Sequence, residues 1–331
     1  MDSLPTPVYS ASSFIGFILV LVPFYWHRTH RRWNIGACCY IAWTALQCLN
    51  LFVNSVVWNH NAINWAPLWC DISIRITLAV NVAIPAASLC INRRLFWIAN
   101  AKGAVLTDKA AKRRAVIVDL CMCVGIPILQ IILAYIVQGH RFDIFEDIGC
   151  FPFIYLTPLS FPLVYAWPLV ISLVSAGYCV ATLHSFVRLQ TNLNKILGED
   201  TSLSRSRYYR LMALTSMELL FGLPLSSYSL YLNASSRVEP FVSWASTHCH
   251  YDRADQVPSF VWKSNHTMAV SLELSRWSPV ACALLFFAFF GLAGEALKNY
   301  RDGFNFVVRR CRFLPQSARK CVLVLKCSPC R

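Results

Sequence analysis

Ser88-Leu-Cys-Ile-Asn-Arg-Arg-Leu-Phe-Trp-Ile-Ala99 decides how the rest of the chain is arranged. An apolar run ends inside it on two adjacent arginines, Arg93 and Arg94, and the loop beyond is dense in lysine and arginine. Upstream, residues 72–91 supply about twenty mostly apolar positions, enough for a helix to cross a hydrocarbon core of about 30 Å. Positive charge beside the end of such a helix resists translocation. The boundary therefore predicts a cytoplasmic edge, from which the orientation of everything else follows.

Composition agrees with a membrane setting. The 331 residues are 56% hydrophobic and only 14% charged, with a mean hydropathy of +0.48, whereas soluble domains run at about 45–50% apolar. Lys and Arg outnumber Asp and Glu by 30 to 16. On a soluble protein that excess would point to nucleic acid; here its location decides the matter. The first apolar run begins near Thr6 without a basic leader or a small-residue cleavage site, so it is expected to stay as a span.

Seven apolar windows have the length of a span: 8–26, 35–58, 69–91, 115–137, 160–184, 211–232 and 268–292. The linkers between them alternate in charge. Residues 27–34, 92–114, 185–210 and 293–331 hold 24 Lys and Arg, while the opposite set holds four, Arg141, Arg237, Arg253 and Lys263. By the positive-inside rule the N-terminus is outside and the C-terminus cytoplasmic. This asymmetry accounts for the net charge of +14 without any nucleic-acid partner. Sequons at Asn233 and Asn265 fall in one outer loop and mark glycosylation candidates. The expected architecture is an all-α membrane protein: a seven-transmembrane helix bundle over residues 1–292 and a cytoplasmic tail over 293–331.

Pro85, Pro127, Pro168 and Pro224 lie within spans, where each removes a helical hydrogen bond. Most read as ordinary curvature. Pro224, beside Gly222, is the expected hinge.

Charge inside the bilayer is the most informative signal, because an unpaired ionised side chain near the centre costs at least about 2.5–3.5 kcal/mol. Asp71 and Arg75 are four apart on the third span, and Glu273 and Arg276 are three apart on the seventh. The two pairs are expected at similar depth, closing a polar cluster across the bundle or acting as structural ion pairs. Asp119 is expected near basic neighbours at the cytoplasmic end, and Glu218 in packing or switching. Aromatic residues, among them Trp69, Phe153, Tyr155, Tyr228 and Trp277, crowd the outer side. Singly they read as an interfacial belt; together they suit the wall of a site for an apolar ligand.

Most of the fifteen cysteines lie in apolar runs or in the tail. Cys70 and Cys150 are both on the oxidising side, and a disulfide between them would pin the second outer loop over the bundle, with Cys249 as a rival partner. Cys311, Cys321, Cys327 and Cys330 sit among basic residues and are palmitoylation candidates. Residues 304–311 have the spacing of a short amphipathic helix on the inner leaflet. There is no HExxH, no GxSxG and no phosphate loop, histidine is almost missing from the spans, and no lysine occupies the seventh. The chain is not expected to be an enzyme, nor to carry a cofactor or a metal.

Specific residues then resemble a known family, the fungal pheromone receptors of the a-factor-receptor type, class D G-protein-coupled receptors. The opening stretch is similar to that family's third-helix exit. Further matches are Glu146-Asp-Ile-Gly-Cys150, Trp167-Pro168, Arg207-Tyr-Tyr-Arg-Leu-Met212 with Glu218 and Pro224, and Phe286-Phe-Ala-Phe-Phe-Gly-Leu-Ala-Gly-Glu295 continuing to Asn299-Tyr-Arg301. The resemblance implies a multi-pass plasma-membrane receptor for a secreted prenylated peptide pheromone, which activates a heterotrimeric G protein and a mating MAP-kinase cascade. Asp71, Arg75, Trp69, Phe153, Tyr155, Tyr228, Glu273, Arg276 and Trp277 are the expected ligand-binding residues. Arg28, Arg31, Arg32, Arg93, Arg94, Arg207 and Arg210 form the expected G-protein-facing rim. A transporter is the alternative from another class, since intramembrane charge also marks permeation paths, but no inverted repeat accompanies it. A constitutive or orphan receptor-like protein is the remaining alternative.

Overall fold

The structure, a computed structural model, describes residues 6–27, 34–100, 109–196, 202–292 and 301. Long helices overlie all seven apolar windows: α1 (Thr6–His27), α2 (Ile35–Val57), α3 (Pro67–Ala99), α4 (Lys109–Leu120) continuing into α5 (Ile126–Ile136), α6 (Ala166–Ile196), α7 (Ser202–Ser235) and, after the short α8 (Trp244–Thr247) and α9 (Ser259–Ser264), α10 (His266–Phe290). Five stretches are long and apolar enough to cross a membrane: Ile35–Val57, Pro67–Ala99, Arg113–Ile136, Phe161–Ser185 and His266–Phe290. In α1 the apolar stretch is the shorter Pro7–Pro23. The apolar run of α7 is interrupted by Glu218, Pro224 and several serines.

At the centre stands α3, which packs against α2, α5, α6 and α7. Its apolar window is 78% buried, against 22% for Arg113–Ile136, which leaves α4 and α5 with most of their surface outward. Composition explains the difference. Ala79, Ala83, Ala86, Ala87 and Ser88 are all buried and small, and small residues let helices approach closely where no hydrophobic drive pulls them together. The helix does not stop at the arginine pair, as the hydropathy break suggests, but runs on to Ala99.

Two of the four expected proline distortions take a defined form. A π-helical turn, Cys121–Gly125, precedes Pro127, and another, Phe161–Tyr165, precedes Pro168. Proline lacks a backbone N–H and crowds the preceding turn, and a widened turn is the usual accommodation. Pro85 and Pro224 lie inside continuous helices.

The all-α expectation needs correcting at one end of the bundle. There the loops form a three-stranded sheet of order β2-β1-β3: β1 (Phe142–Phe145) pairs antiparallel with β2 (Gly149–Phe151) and parallel with β3 (Ala254–Val257). These loops pack inward, with Phe142, Ile144 and Cys150 joining Trp58, Cys70 and Ile74 in one buried cluster. Backbone buried that way must find partners, and the short ladder supplies them. Strands of three or four residues are invisible to a search for twenty-residue apolar windows.

Each residue of Glu146-Asp-Ile-Gly-Cys150 has a part in holding this cap. The Ser259 N–H donates to Glu146 Oε2 at 2.6 Å and the Trp262 indole donates to the Glu146 carbonyl at 3.1 Å. Asp147, at φ +71, accepts from the His60 N–H and pairs with Lys263. Ile148 packs with Trp262 and Leu272. A disulfide joins Cys150 to Cys70, with Cα atoms 5.2 Å apart, while Cys249 is free and exposed.

Gly149 has φ +94, and a Cβ there would lie 2.6 Å from Asn54 Cβ. Gly149→Ala therefore combines backbone strain of about 1–3 kcal/mol with overpacking of about 1–3 kcal/mol. We expect the variant to reach the cell surface at a small fraction of the wild-type level and to melt at lower temperature once purified. Surface labelling and a thermal-shift measurement check both outcomes.

Candidate functional site

Beneath the cap two polar groups of side chains meet. On α2, Gln47, Asn50 and Asn54 follow one another at intervals of three and four and share one helix face. Opposite them on α3 are Ser73 and Thr77. Gln47 donates to Thr77 Oγ1 at 3.3 Å, Asn50 to the Ser73 carbonyl at 3.3 Å and Asn54 to Ser73 Oγ at 2.9 Å. The Trp69 indole donates to Asn54 Oδ1 at 2.8 Å. Hydrogen bonds between membrane helices contribute about 0.6 kcal/mol each on average, so this ladder fixes the pairing of α2 with α3 by number rather than by any single bond.

The second group belongs to α10 and α1. Arg276 is 3% exposed; its Nε lies 3.0 Å from Glu273 Oε2, and the Trp277 indole donates to the same oxygen at 3.0 Å. The Arg276 guanidinium sits 4.2 Å from the centre of the Tyr9 ring, and the Tyr9 hydroxyl donates to the Arg276 carbonyl at 3.1 Å. Tyr9 and Trp277 meet edge to face at 5.0 Å. Although close, Arg276 Nε is not aligned with an acceptor, and Glu273 Oε1 and Asn50 Oδ1 are likewise buried without a hydrogen-bond partner. Each such buried atom costs about 1–3 kcal/mol.

Between the two groups is a cleft whose lining mixes Gln47, Asn54, Thr77, Ser275 and Arg276 with Leu51, Ile148 and Leu272, roofed by Cys150 and Phe151 of β2. Its free space is about 10 Å³, room for about one water molecule. The cap holds it shut.

The two expected charge pairs do not meet; among the described residues no ion pair links them. Asp71 instead turns to the second loop, where Arg141 donates to both its carboxylate oxygens at 2.5 and 3.0 Å. Hydrogen bonding to Asp71 raises the Arg141 guanidinium pKa further above its ordinary value. Arg75 donates to the Asp71 carbonyl at 2.7 Å and its side chain is 45% exposed. This separation follows from helix geometry. Residues 71 and 75 share one face of α3, while Ser73 and Thr77, bonded to α2, take another.

The aromatics do not share one wall either. Trp58 and Trp262 are fully buried in the cap, Phe153 stacks on His140 at 3.9 Å, Tyr155 is half-buried and bonds through its backbone to Val137, and Tyr228 and Tyr231 are exposed on α7. Of the expected ligand-facing set, Arg276 lines the cleft and Glu273 and Trp277 support it.

At the opposite end Arg93 pairs with Asp119 at 2.5 Å, both side chains largely buried, and lies 5.1 Å from the Trp97 ring centre. The pair ties the end of α3 to α4. Arg94 is partly buried, and Arg210 stands in the first half of α7. Arg28, Arg31, Arg32, the four tail cysteines and the 304–311 helix lie outside the described residues, and the side chain of Arg207 is likewise not described. Asn233, in the last turn of α7, donates to the Ser229 carbonyl, and Asn265 accepts from the Met268 N–H at the start of α10. Among the described residues, His140, Asp143 and Asp255 alone form a group with the donor set of a metal site.

The α2 amides are uncharged, so intramembrane charge does not point to them. Their signal was present in the sequence, as three carboxamides at helical spacing inside an apolar run.

Comparison with known proteins gives a consistent result. Residues 8–311 match the family model described as pheromone A receptor. The chain is 46% identical to the Pheromone B alpha 3 receptor of Schizophyllum commune, over 92% of this chain and 48% of that protein. It is 33% identical to Pheromone receptor 1 of Mycosarcoma maydis, over 90% and 83%, and 26% identical to the Pheromone a factor receptor of Saccharomyces cerevisiae, over 86% and 59%. The chain spans about half the length of the Schizophyllum relatives it matches.

Proposed function

The chain belongs to the fungal pheromone A receptor family, and from that premise we propose that it is a G-protein-coupled receptor for a secreted prenylated peptide pheromone. The observation that carries the proposal to particular residues is the closed cleft under a disulfide-anchored cap, lined by Gln47, Asn54, Thr77 and an Arg276 whose Nε keeps unmet hydrogen-bonding capacity. The 24 to 4 division of basic residues supports seven spans with the capped end outside the cell. In this proposal residues 1–292 form the receptor bundle in the plasma membrane and 293–331 its cytoplasmic tail.

A prenylated peptide brings a greasy chain and a polar backbone. The backbone would engage the cleft through Arg276 and the α2 amides, and the prenyl group would lie against outer aromatics such as Tyr228 and Tyr231, which are exposed on α7. A cleft with room for about one water admits neither until the cap shifts. Peptide binding would therefore favour a conformation with the cap displaced, and it can shift the equilibrium only by its differential affinity for that state. At the cytoplasmic end the G protein would meet the basic rim of Arg94, Arg207 and Arg210 together with the first inner loop, while Arg93 serves that rim through its pairing with Asp119.

Cells carrying the full chain and a G-protein-responsive reporter test this directly. A panel of prenylated fungal pheromones and their unprenylated counterparts is expected to yield at least one prenylated peptide that activates the reporter, with its unprenylated form at least tenfold weaker. Pheromone-independent solute uptake by vesicles, with no reporter response to any peptide, would replace the receptor reading by a transporter.

A further inference from the structure

The parallel pairing of β1 with β3 sets Asp143 directly opposite Asp255. Like charges facing each other across a ladder oppose strand pairing, so a cation between them would favour the joining of the second and third loops. His140 reaches into that position. Its Nε2 lies 2.6 Å from Asp143 Oδ1 and 3.9 Å from Asp255 Oδ2, and its side chain is 5% exposed, flat against Phe153.

The three ligand atoms all lie within 4.8 Å of one another. Two cations stand nearby. Arg141 is drawn away by Asp71, as described above. Arg253 bonds Asp255 Oδ2 at 2.9 Å, but its side chain is 59% exposed, and an exposed pair of this kind holds weakly.

We propose that His140, Asp143 and Asp255 form a divalent transition-metal site of zinc type that clasps the second loop to the third. One imidazole and two carboxylates make a three-ligand set with an open fourth position, and that position faces solvent beside Asp255, whose side chain is 40% exposed. Bonds of about 2.0–2.2 Å place tetrahedral ligand atoms about 3.3–3.6 Å apart. The observed His140 separations of 2.6 and 3.9 Å lie on either side of that spacing, so rotamer adjustments within the cluster suffice. Nitrogen and oxygen donors together suit Zn²⁺ over the hard alkaline-earth ions, which prefer oxygen alone. A metal here would neutralise the facing carboxylates and brace the cap from its rim.

The test uses the purified full chain in lipid nanodiscs with Zn²⁺ as the sole probe, so it does not depend on pheromone or G protein. One Zn²⁺ is expected to bind per chain in the micromolar range, with a melting temperature that climbs with Zn²⁺ concentration. Asp255→Asn, at the exposed edge, and His140→Gln are each expected to weaken binding at least tenfold. The exposed Asp255 variant keeps the test valid if the buried His140 variant folds poorly. Undiminished binding in an Asp143→Asn/Asp255→Asn double variant would overturn the proposal. So would binding lost only on Cys249→Ser, which would move the metal to His248-Cys249-His250, or no binding by the wild type at millimolar Zn²⁺.

Discussion

Replacing Arg276 with glutamine is expected to reduce pheromone potency by about thirtyfold or more while leaving a detectable population at the cell surface. Losing a hydrogen bond made by a charged group costs about 1.5–3 kcal/mol, and each 1.4 kcal/mol is about tenfold in an equilibrium. Arg276 is 3% exposed, lines the cleft, and touches Glu273 and Tyr9. Loss of response alone would not separate a ligand contact from a structural ion pair. The exchange Glu273→Arg/Arg276→Glu does, because it preserves the pair and reverses its polarity toward the cleft. With surface expression measured in parallel, the exchange is expected to recover expression but not potency. Recovery of both would make the pair structural.

The second large effect concerns the other end of the bundle. Arg93→Glu is expected to remove both surface expression and signalling, since it leaves two carboxylates in contact in a site where Arg93 and Asp119 are 14% and 9% exposed. Breaking a buried pair costs about 3–5 kcal/mol, a large part of the total stability of a typical domain. The exchange Arg93→Asp/Asp119→Arg is expected to restore expression together with signalling, because the geometry gives Arg93 the task of tying α3 to α4. Restored expression without signalling would instead place Arg93 in direct contact with the G protein. Both variants are read by surface labelling and the G-protein reporter.

Much of this arrangement was legible in the sequence, for physical reasons that differ from element to element. Long helices follow from apolar windows of span length, and the pairing of Cys70 with Cys150 was weighed because both thiols were assigned to one oxidising side. The association of Asp119 with basic neighbours follows from its place near the cytoplasmic end of its span. What escaped was whatever depends on tertiary direction. That Asp71 and Arg75 point away from Glu273 and Arg276 is fixed by how α3 is rotated, which spacing along one helix does not reveal. The aromatics were gathered into one wall because the sequence gives their height in the bilayer but not their azimuth around the bundle. The β1-β3 pairing joins residues more than a hundred positions apart, and no local pattern announces a contact of that range. His140, Asp143 and Asp255 come together only through it.

If peptide binding at the capped end activates a G protein at the basic end, nucleotide exchange on a purified heterotrimer reads that coupling without any cellular component. The full chain would be reconstituted in nanodiscs and challenged with an activating prenylated peptide. Accelerated exchange is expected with the prenylated peptide, little with its unprenylated form, and none of the acceleration in Arg276→Gln. Exchange that stays at the receptor-free rate while the same peptide demonstrably binds the chain would contradict that coupling.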